Sequence, residues 1–369
     1  MRSGGCDAIV IGAGIVGLAC AEALSRDGMR VLVLDAGDVA GGATAAGMGH
    51  LVAMDGAPAQ LALTSYSLRL WRDLMPGLPP RVELDSCGTL WIAEDPGQLV
   101  LLREKERLYA AASVRTEMLD AHELRRAEPE LREGLAGALF VPDDAVIYAP
   151  TAALFLLHEA ERKGAAVTQW CRVDEVLPNG VRCGGERLSA GIVVNAAGSS
   201  APALTPSLPI VPRKGHLAIT DRYPGFCRHQ VVEIGYLADA HAMTQESVAL
   251  NVQPRITGQV LIGSSRELVG WDGAINRSVL RRMLARAVSF MPSLARLSTI
   301  RSWTGFRPAT RDGLPLIGPW ERVPGLWIAA GHEGLGITTA LATGRLLADA
   351  ITGRSSELSL LPFAPSREM

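Results

Sequence analysis

The stretch Val10-Ile11-Gly12-Ala13-Gly14-Ile15-Val16-Gly17, closed off by Val31-Leu32-Val33-Leu34-Asp35, constrains this chain more than any other. The apolar run 8–11 reads as a parallel strand buried on both faces. Gly12 permits a tight turn, Gly14 lets the backbone approach a pyrophosphate, and Gly17 lets the next helix pack closely on the sheet. That helix, over about 15–27, begins with free N–H groups and the positive end of its dipole. A second apolar strand, 31–34, ends at Asp35, where a carboxylate can accept a ribose hydroxyl. Strand, glycines, helix, strand and acid in this order predict a dinucleotide site. They leave NAD and FAD both open.

The 369 residues suffice for two domains or one large interrupted one. A net charge of -2 argues against nucleic acid or an anionic membrane as partner. The six cysteines, Cys6, Cys20, Cys87, Cys171, Cys183 and Cys227, form no C-x-x-C pair. That argues against a structural zinc, an iron–sulfur cluster or a redox dithiol. No disulfide framework is expected, which fits a reducing cytoplasm. Neither a secretory signal nor an apolar run long enough to span a bilayer is apparent. The expected location is therefore cytoplasmic, with any attachment to the inner membrane made through partners.

After the first βαβ unit comes a segment of small residues, 40–50, suited to backbone passing close to a flat ligand. Apolar spacing predicts helices over 58–75, 96–112, 120–127, 151–163, 276–290 and 336–352. Strands are expected at 88–93, 138–142, 167–176, 181–183 and 191–195, and throughout the β-branched stretch 210–275. The run Val193-Val194-Asn195-Ala196-Ala197-Gly198 returns to the pattern of a buried strand ending in small residues. A nucleotide-type sheet thus resumes after an excursion. The expected organisation is a nucleotide-binding domain from 1–75, 150–210 and 300–369. A substrate domain from 76–149 and 211–299 completes it.

Three later motifs narrow the choice: Asn195-Ala196-Ala197-Gly198, then Trp303-Thr304-Gly305-Phe306-Arg307-Pro308 with Asp312-Gly313-Leu314-Pro315, then Gly331-His332-Glu333-Gly334-Leu335-Gly336-Ile337-Thr338. With the N-terminal glycines they resemble the D-amino-acid oxidase-like flavoproteins, along about residues 7–352. The resemblance implies an α/β, Rossmann-like FAD-binding domain with an inserted α+β substrate domain on an antiparallel or mixed sheet. It implies oxidation of an amine-bearing acid. Within the family, residues 45–55 look most like the β subunits of bacterial heteromeric dehydrogenases. D-hydroxyproline dehydrogenase is the first choice there and opine dehydrogenase the second.

The residues expected to hold FAD are Gly12, Gly14, Ile15, Val16, Gly17, Asp35, Ala36, Thr44, Ala45, Gly47, Met48, Val173, Ala197, Gly198, Gly305, Arg307, Gly331, Gly334, Leu335, Gly336, Ile337 and Thr338. No histidine or cysteine stands where the family attaches its flavin covalently, so non-covalent FAD is expected. No metal site is expected. The resemblance gives Arg307 the substrate carboxylate, and a guanidinium fork suits that group. Placed before Pro308, Arg307 is expected on a rigid loop. His50 is the candidate to hold or deprotonate the amine, and plain packing is its alternative. His332 is expected to be structural, while Glu233 and Tyr236 are candidates to line the substrate pocket.

Two departures stand out: Gly334 where glycine oxidase-like members carry arginine, and Asn251 where some carry tyrosine. Both remove a side chain near the substrate and fit a larger or differently held one. The expected chemistry is hydride transfer to flavin N5 from the carbon bearing the amine, best from cis-4-hydroxy-D-proline. By resemblance, electrons then pass to an α subunit and a small ferredoxin-like one. The alternatives are an opine (octopine or nopaline) dehydrogenase subunit, a stand-alone D-amino-acid, glycine or sarcosine oxidase, a nicotinamide-dependent dehydrogenase, or an FAD-holding electron-transfer subunit without a substrate site.

Overall fold

In the computed structural model, which describes residues 5–54, 56–235 and 245–368, the opening pattern forms the centre of a six-stranded sheet. Its order is β18 (Leu316–Pro319), β19 (Leu326–Ala330), β12 (Ile192–Asn195), β1 (Ala8–Ile11), β2 (Val31–Leu34) and β8 (Ala166–Thr168). All pairings are parallel except that of the edge strand β18. Ala8 and Val10 point into a core shared with helix α1 (Ile15–Arg26) and the C-terminal helix Gly336–Thr352. Ile9 and Ile11 point the other way, into a core with Val173 and Val181. Burial on both faces is why β1 reads as an unbroken apolar run.

Val173 and Val181 belong to a three-stranded antiparallel sheet of β9 (Val173–Leu177), β10 (Gly180–Cys183) and β11 (Glu186–Ser189). The expected single strand over 167–176 is therefore two strands in two sheets. The break comes at Trp170, whose φ of 57° no regular strand accommodates. The structure also joins Cys171 and Cys183 in a disulfide, against the expectation of none. The antiparallel β9–β10 pairing sets Cys183 opposite Val173 and so brings two cysteines with no motif spacing together.

A larger sheet of eight strands runs in the order β17 (Thr299–Ala309), β13 (Val211–Arg222), β16 (Gln259–Glu267), β15 (Glu246–Pro254), β14 (Gln230–Glu233), β4 (Thr89–Ala93), β6 (Gly137–Val141) and β5 (Glu117–Asp120). It extends past residue 300, where the sequence placed the return to the nucleotide part, because β17 pairs with β13 up to Ala309. One face packs Leu90, Ile92, Val231, Leu250, Val252 and Ile262 against Met283, Ala287 and Phe290 of the helix Arg277–Phe290. The opposite face looks toward the nucleotide part. A two-stranded ribbon, β3 (His50–Leu51) with β7 (Ala145–Val146), connects the two parts. Among the described residues, no helix is long and apolar enough to cross a membrane.

Two glycines set helix positions by contact with backbone. A Cβ on Gly17 would lie 1.9 Å from the Gly12 carbonyl oxygen, so α1 rests directly on the turn that precedes it. A Cβ on Gly344 would lie 2.4 Å from the Ala19 carbonyl oxygen, where the C-terminal helix crosses α1. Gly344→Ala is expected to cost about 1–3 kcal/mol by overpacking a contact that only backbone movement relieves. Denaturant unfolding of the FAD-loaded protein measures this. Unchanged stability would mean that the crossing has slack the structure does not show.

Candidate active site

The first turn of α1 has no capping side chain of its own. The Ile15 amide donates to Thr44 Oγ1 at 3.0 Å, a hydroxyl brought in by the short helix Gly42–Ala46. Asp35 holds the glycine turn from the side: its carboxylate accepts from the Ala13 amide at 2.6 Å and the Gly37 amide at 2.8 Å. Gly12 needs its φ of 107°, and a Cβ there would strike the Ala196 carbonyl oxygen at 2.5 Å.

The second helix start lies beside the first. Gly336, also without a capping side chain, sits so that a Cβ would meet Val16 Cγ2 at 3.6 Å. A Cβ on Gly47 would meet Ile337 at 3.0 Å, and one on Gly305 would meet the Ala46 Cβ at 2.5 Å. Thr338 ties this region to the connecting ribbon: its hydroxyl donates to the His50 carbonyl and accepts from the Val52 amide. Gln253 on β15 donates to the Met48 carbonyl at 2.8 Å. The fold thus gathers Gly12, Gly14, Ile15, Val16, Gly17, Asp35, Thr44, Ala45, Gly47, Met48, Gly305, Gly336, Ile337 and Thr338. Ala197 and Gly198 follow the Ala196 contact at the end of β12, and Gly331, Gly334 and Leu335 lead into the C-terminal helix. Ala36 is exposed just past Asp35. The Val173 side chain is turned away into the core under the three-stranded sheet.

Two helix starts side by side, neither capped by its own N-cap side chain, on small residues whose added Cβ atoms would collide, make a cradle for a dinucleotide with a flat ring system. The residues present fit FAD.

Next to this cradle a cleft of about 730 Å3, counting its open mouth, lies against the large sheet. Arg307 stands next to its charged end, beside Gly334 of the cleft lining, where an added Cβ would lie 3.7 Å from the Arg307 Nε. It is on strand β17 and not on a loop, because residues 299–309 pair continuously with β13. Its guanidinium crosses over Gly215, where a Cβ would lie 2.3 Å from Nη1, and Nη1 donates to the Ser265 carbonyl at 2.9 Å. Arg213, directly opposite Arg307 in the ladder, and Arg266 on β16 are buried in the cleft wall. Like charges so placed repel unless an anion lies between them. Glu333 supplies one: it pairs with Arg213 at 3.5 Å, and its carboxyl titrates below the ordinary range. Burial opposes that shift, while the charges of Arg307, Arg266 and Arg213 outweigh it.

His50 lines the cleft, and its Nε2 has no hydrogen-bond partner among the described residues. Burial pushes its pKa down to about 4; a hydrogen bond with Gln253 opposes this, and the Arg307 charge adds to it. His50 is therefore neutral near pH 7. His332 is buried away from the cleft against Thr343, with Nε2 3.0 Å from the hydroxyl, and burial lowers it to about 3.

Glu233, expected in the pocket, faces the other side of the sheet. Side chains alternate along β14, so Gln230 and Val232 line the cleft, while Glu233 pairs with Arg286 and accepts from the Leu250 amide. Tyr236 lies outside the described residues. Arg213, Arg266, Glu333, Gln230 and Trp91 escaped the sequence reading. The signal for the arginines was a charge inside a strand-like run, as in Ile210-Val211-Pro212-Arg213 and Leu261-Ile262-Gly263-Ser264-Ser265-Arg266.

Gly215→Ala is expected to displace the Arg307 guanidinium while leaving the cradle intact. Arg307→Ala should weaken substrate turnover thirtyfold to several thousandfold, the range for deleting one partner of a buried charged contact worth about 2–5 kcal/mol. Both variants should retain the native flavin absorbance. Kinetics of flavin reduction in the two variants check this, and a fully active Gly215→Ala protein would contradict the placement.

The chain matches the FAD dependent oxidoreductase (DAO) family over residues 7–350. It is 28% identical to glycine oxidase of Pseudomonas aeruginosa, over 97% of this chain and 98% of that protein. It is 26% identical to one of the subunits of opine oxidase from Rhizobium meliloti, over 98% and 97% of the two chains. The crystal structure of glycine oxidase from Geobacillus kaustophilus superposes with a TM-score of 0.88 at 26% identity, covering 99% of each chain.

Proposed function

The chain belongs to the family of FAD-dependent oxidoreductases, and from that premise we propose that it oxidises the C–N bond of a secondary-amine amino acid as the flavin subunit of a dehydrogenase. Cis-4-hydroxy-D-proline is the preferred substrate in this reading. The observation that carries it is the seating of Arg307. A guanidinium is held over a glycine notch beside the cleft: a Cβ on Gly334, which lines the cleft next to the second helix start, would lie 3.7 Å from its Nε. A carboxylate held there places the adjacent amine and its carbon inside the cleft.

The chemistry FAD would supply when bound is acceptance of the hydride from the carbon bearing the amine. The amides at the start of α1 would hold its phosphates, and those of Gly336, Ile337 and Thr338 would stabilise negative charge on its ring system. Arg307 fixes the substrate carboxylate through its planar fork. Val52, Met54, Val232 and Leu335 give the cleft apolar walls that exclude water from the reacting carbon. Neutral His50 presents an unpartnered Nε2 that accepts a hydrogen bond from the amine. With a pKa of about 4 it orients the amine and is a poor acceptor for a full proton at neutral pH. Transfer of electrons to partner subunits is supported by the likeness to a relative that is named as part of a multi-subunit oxidase. That likeness also supports the second reading, an opine as substrate.

Anaerobic titration with cis-4-hydroxy-D-proline should bleach the flavin band near roughly 450 nm, as flavin-based oxidation requires. Bleaching by octopine or nopaline alone would move the assignment to the opine reading. Bleaching by none of them would remove the proposed chemistry.

The His50 shift sets the pH dependence. Its folded pKa is lowered from 6.5 to about 4, so in the folded protein it stays neutral from about pH 5 upward. The rate of flavin reduction is expected to rise with pH as the substrate amine loses its proton, without a further inflection between pH 5 and 8. Stopped-flow reduction across that range checks this. An inflection near pH 6.5 that disappears in His50→Gln would show a titrating histidine instead.

A further inference from the structure

The large sheet faces the cleft with one row of side chains, and its two ends differ in chemistry. Arg213 on β13 and Arg266 on β16 form the charged end, and Arg307 on β17 stands next to it, opposite Arg213 in the ladder. Asn251 on β15, Gln230 on β14 and Trp91 on β4 continue the row without charge. The ladders place them together: Asn251 is opposite Val232, Val232 is beside Trp91, and Gln230 is beside Thr89. Adjacent strands are about 4.8 Å apart, so the neutral end spans about 10 Å beyond the arginines. That is more than an α-carboxylate and its amine occupy.

Among the described residues, the neutral end is unsatisfied. Asn251 is 2% exposed, Gln230 3% and Trp91 1%. Each has one buried polar atom without a hydrogen-bond partner among the described residues: Asn251 Oδ1, Gln230 Oε1 and Trp91 Nε1. Buried polar groups are normally paired, and three unpaired ones converging on a single cleft mark a place for a ligand's polar group. Two amides and an indole N–H together offer both acceptors and donors. Of the titratable groups near them, His50 is neutral, and the buried Lys105 ammonium lies over the face of the Trp91 ring, 3.8 Å from its centroid. Their match is an uncharged group that both donates and accepts.

We propose that Trp91, Gln230 and Asn251 form a specificity subsite for a hydroxyl or carboxamide on the side arm of the amino acid whose carboxylate Arg307 holds. The inference rests on that reading of Arg307. A site built to hydrogen-bond such a group discriminates strongly against the analogue lacking it, because its own polar atoms are then left unpaired.

The test uses the FAD-loaded protein and ligands that cannot be oxidised. Tetrahydrofuran-2-carboxylate carries a ring oxygen in place of the amine. Its 4-hydroxy, 4-carboxamide and 4-carboxylate derivatives add a polar arm. Calorimetry should show the hydroxyl or carboxamide derivative binding at least about tenfold more tightly than the parent. That gain should vanish in Gln230→Leu and Asn251→Leu, with the affinity of the parent unchanged. Equal affinity of parent and derivatives for the native protein would show that these atoms serve ordered water, and would overturn the proposal without any variant. So would tightest binding of the 4-carboxylate, which would assign the arm to the arginine end. Flavin reduction by D-proline and cis-4-hydroxy-D-proline separates the two levels. Discrimination among the inert ligands without reduction by either amine leaves the subsite and removes the oxidation chemistry. Equal reduction by both amines without discrimination removes the subsite and leaves the chemistry.

Discussion

The contact between α1 and the turn beneath it governs the geometry of everything else. A Cβ at Gly17 would sit 1.9 Å from the Gly12 carbonyl, so the helix rests on its own loop with no side chain between. That contact aims the first amides of α1 outward from the end of the sheet. Asp35 makes the turn rigid by accepting from Ala13 and Gly37. The C-terminal helix inherits its position from α1 through the backbone contact at Gly344, and its first residue reaches Val16. Two positive helix ends are thereby set side by side, and the dipoles that repel each other there are relieved when a polyanionic ligand lies between them.

The large sheet divides its labour between its faces. Leu90, Ile92, Val231 and Leu250 bury apolar area against the helix Arg277–Phe290 and provide the stability of that half. The face toward the cleft carries arginines, amides and an indole, whose burial is unfavourable unless they are paired. Glu333 offsets part of that cost at the charged end. Its φ of 47° puts a non-glycine residue in the left-handed region at the carboxylate that balances the arginines. The polar face is thus held by the apolar one, as expected where a site is built on a rigid sheet.

Much of the fold was legible because local pattern and tertiary role agree. The helices beginning at Ile15, Pro58, Pro96, Arg277 and Gly336 fall where apolar spacing and terminal signals place them, while the one expected from 151 begins at Ala149 and takes Pro150 into its first turn. Reading failed where pairing partners are distant. Arg307 looked like a loop residue because Gly305 and Pro308 flank it, yet β13 pairs with the whole segment and Pro308 is opposite Pro212. Glu233 was assigned to the wrong face because alternation identifies two faces without saying which one meets the cleft. Cys171 and Cys183 carry no motif, and only the β9–β10 hairpin brings them together.

The sequence by itself determined the dinucleotide cradle, since its glycines, helix starts and acid act through backbone contacts within one βαβ unit and two short loops. It also determined that Arg307 is the carboxylate ligand to test, through resemblance and through the chemistry of guanidinium. Tertiary structure alone decided the character of the substrate cleft. Trp91, Arg213, Gln230, Asn251, Arg266 and Glu333 come from five strands and a loop spread over more than two hundred residues. Their convergence depends on strand order and register, which are set by the packing of the whole sheet and have no local signature.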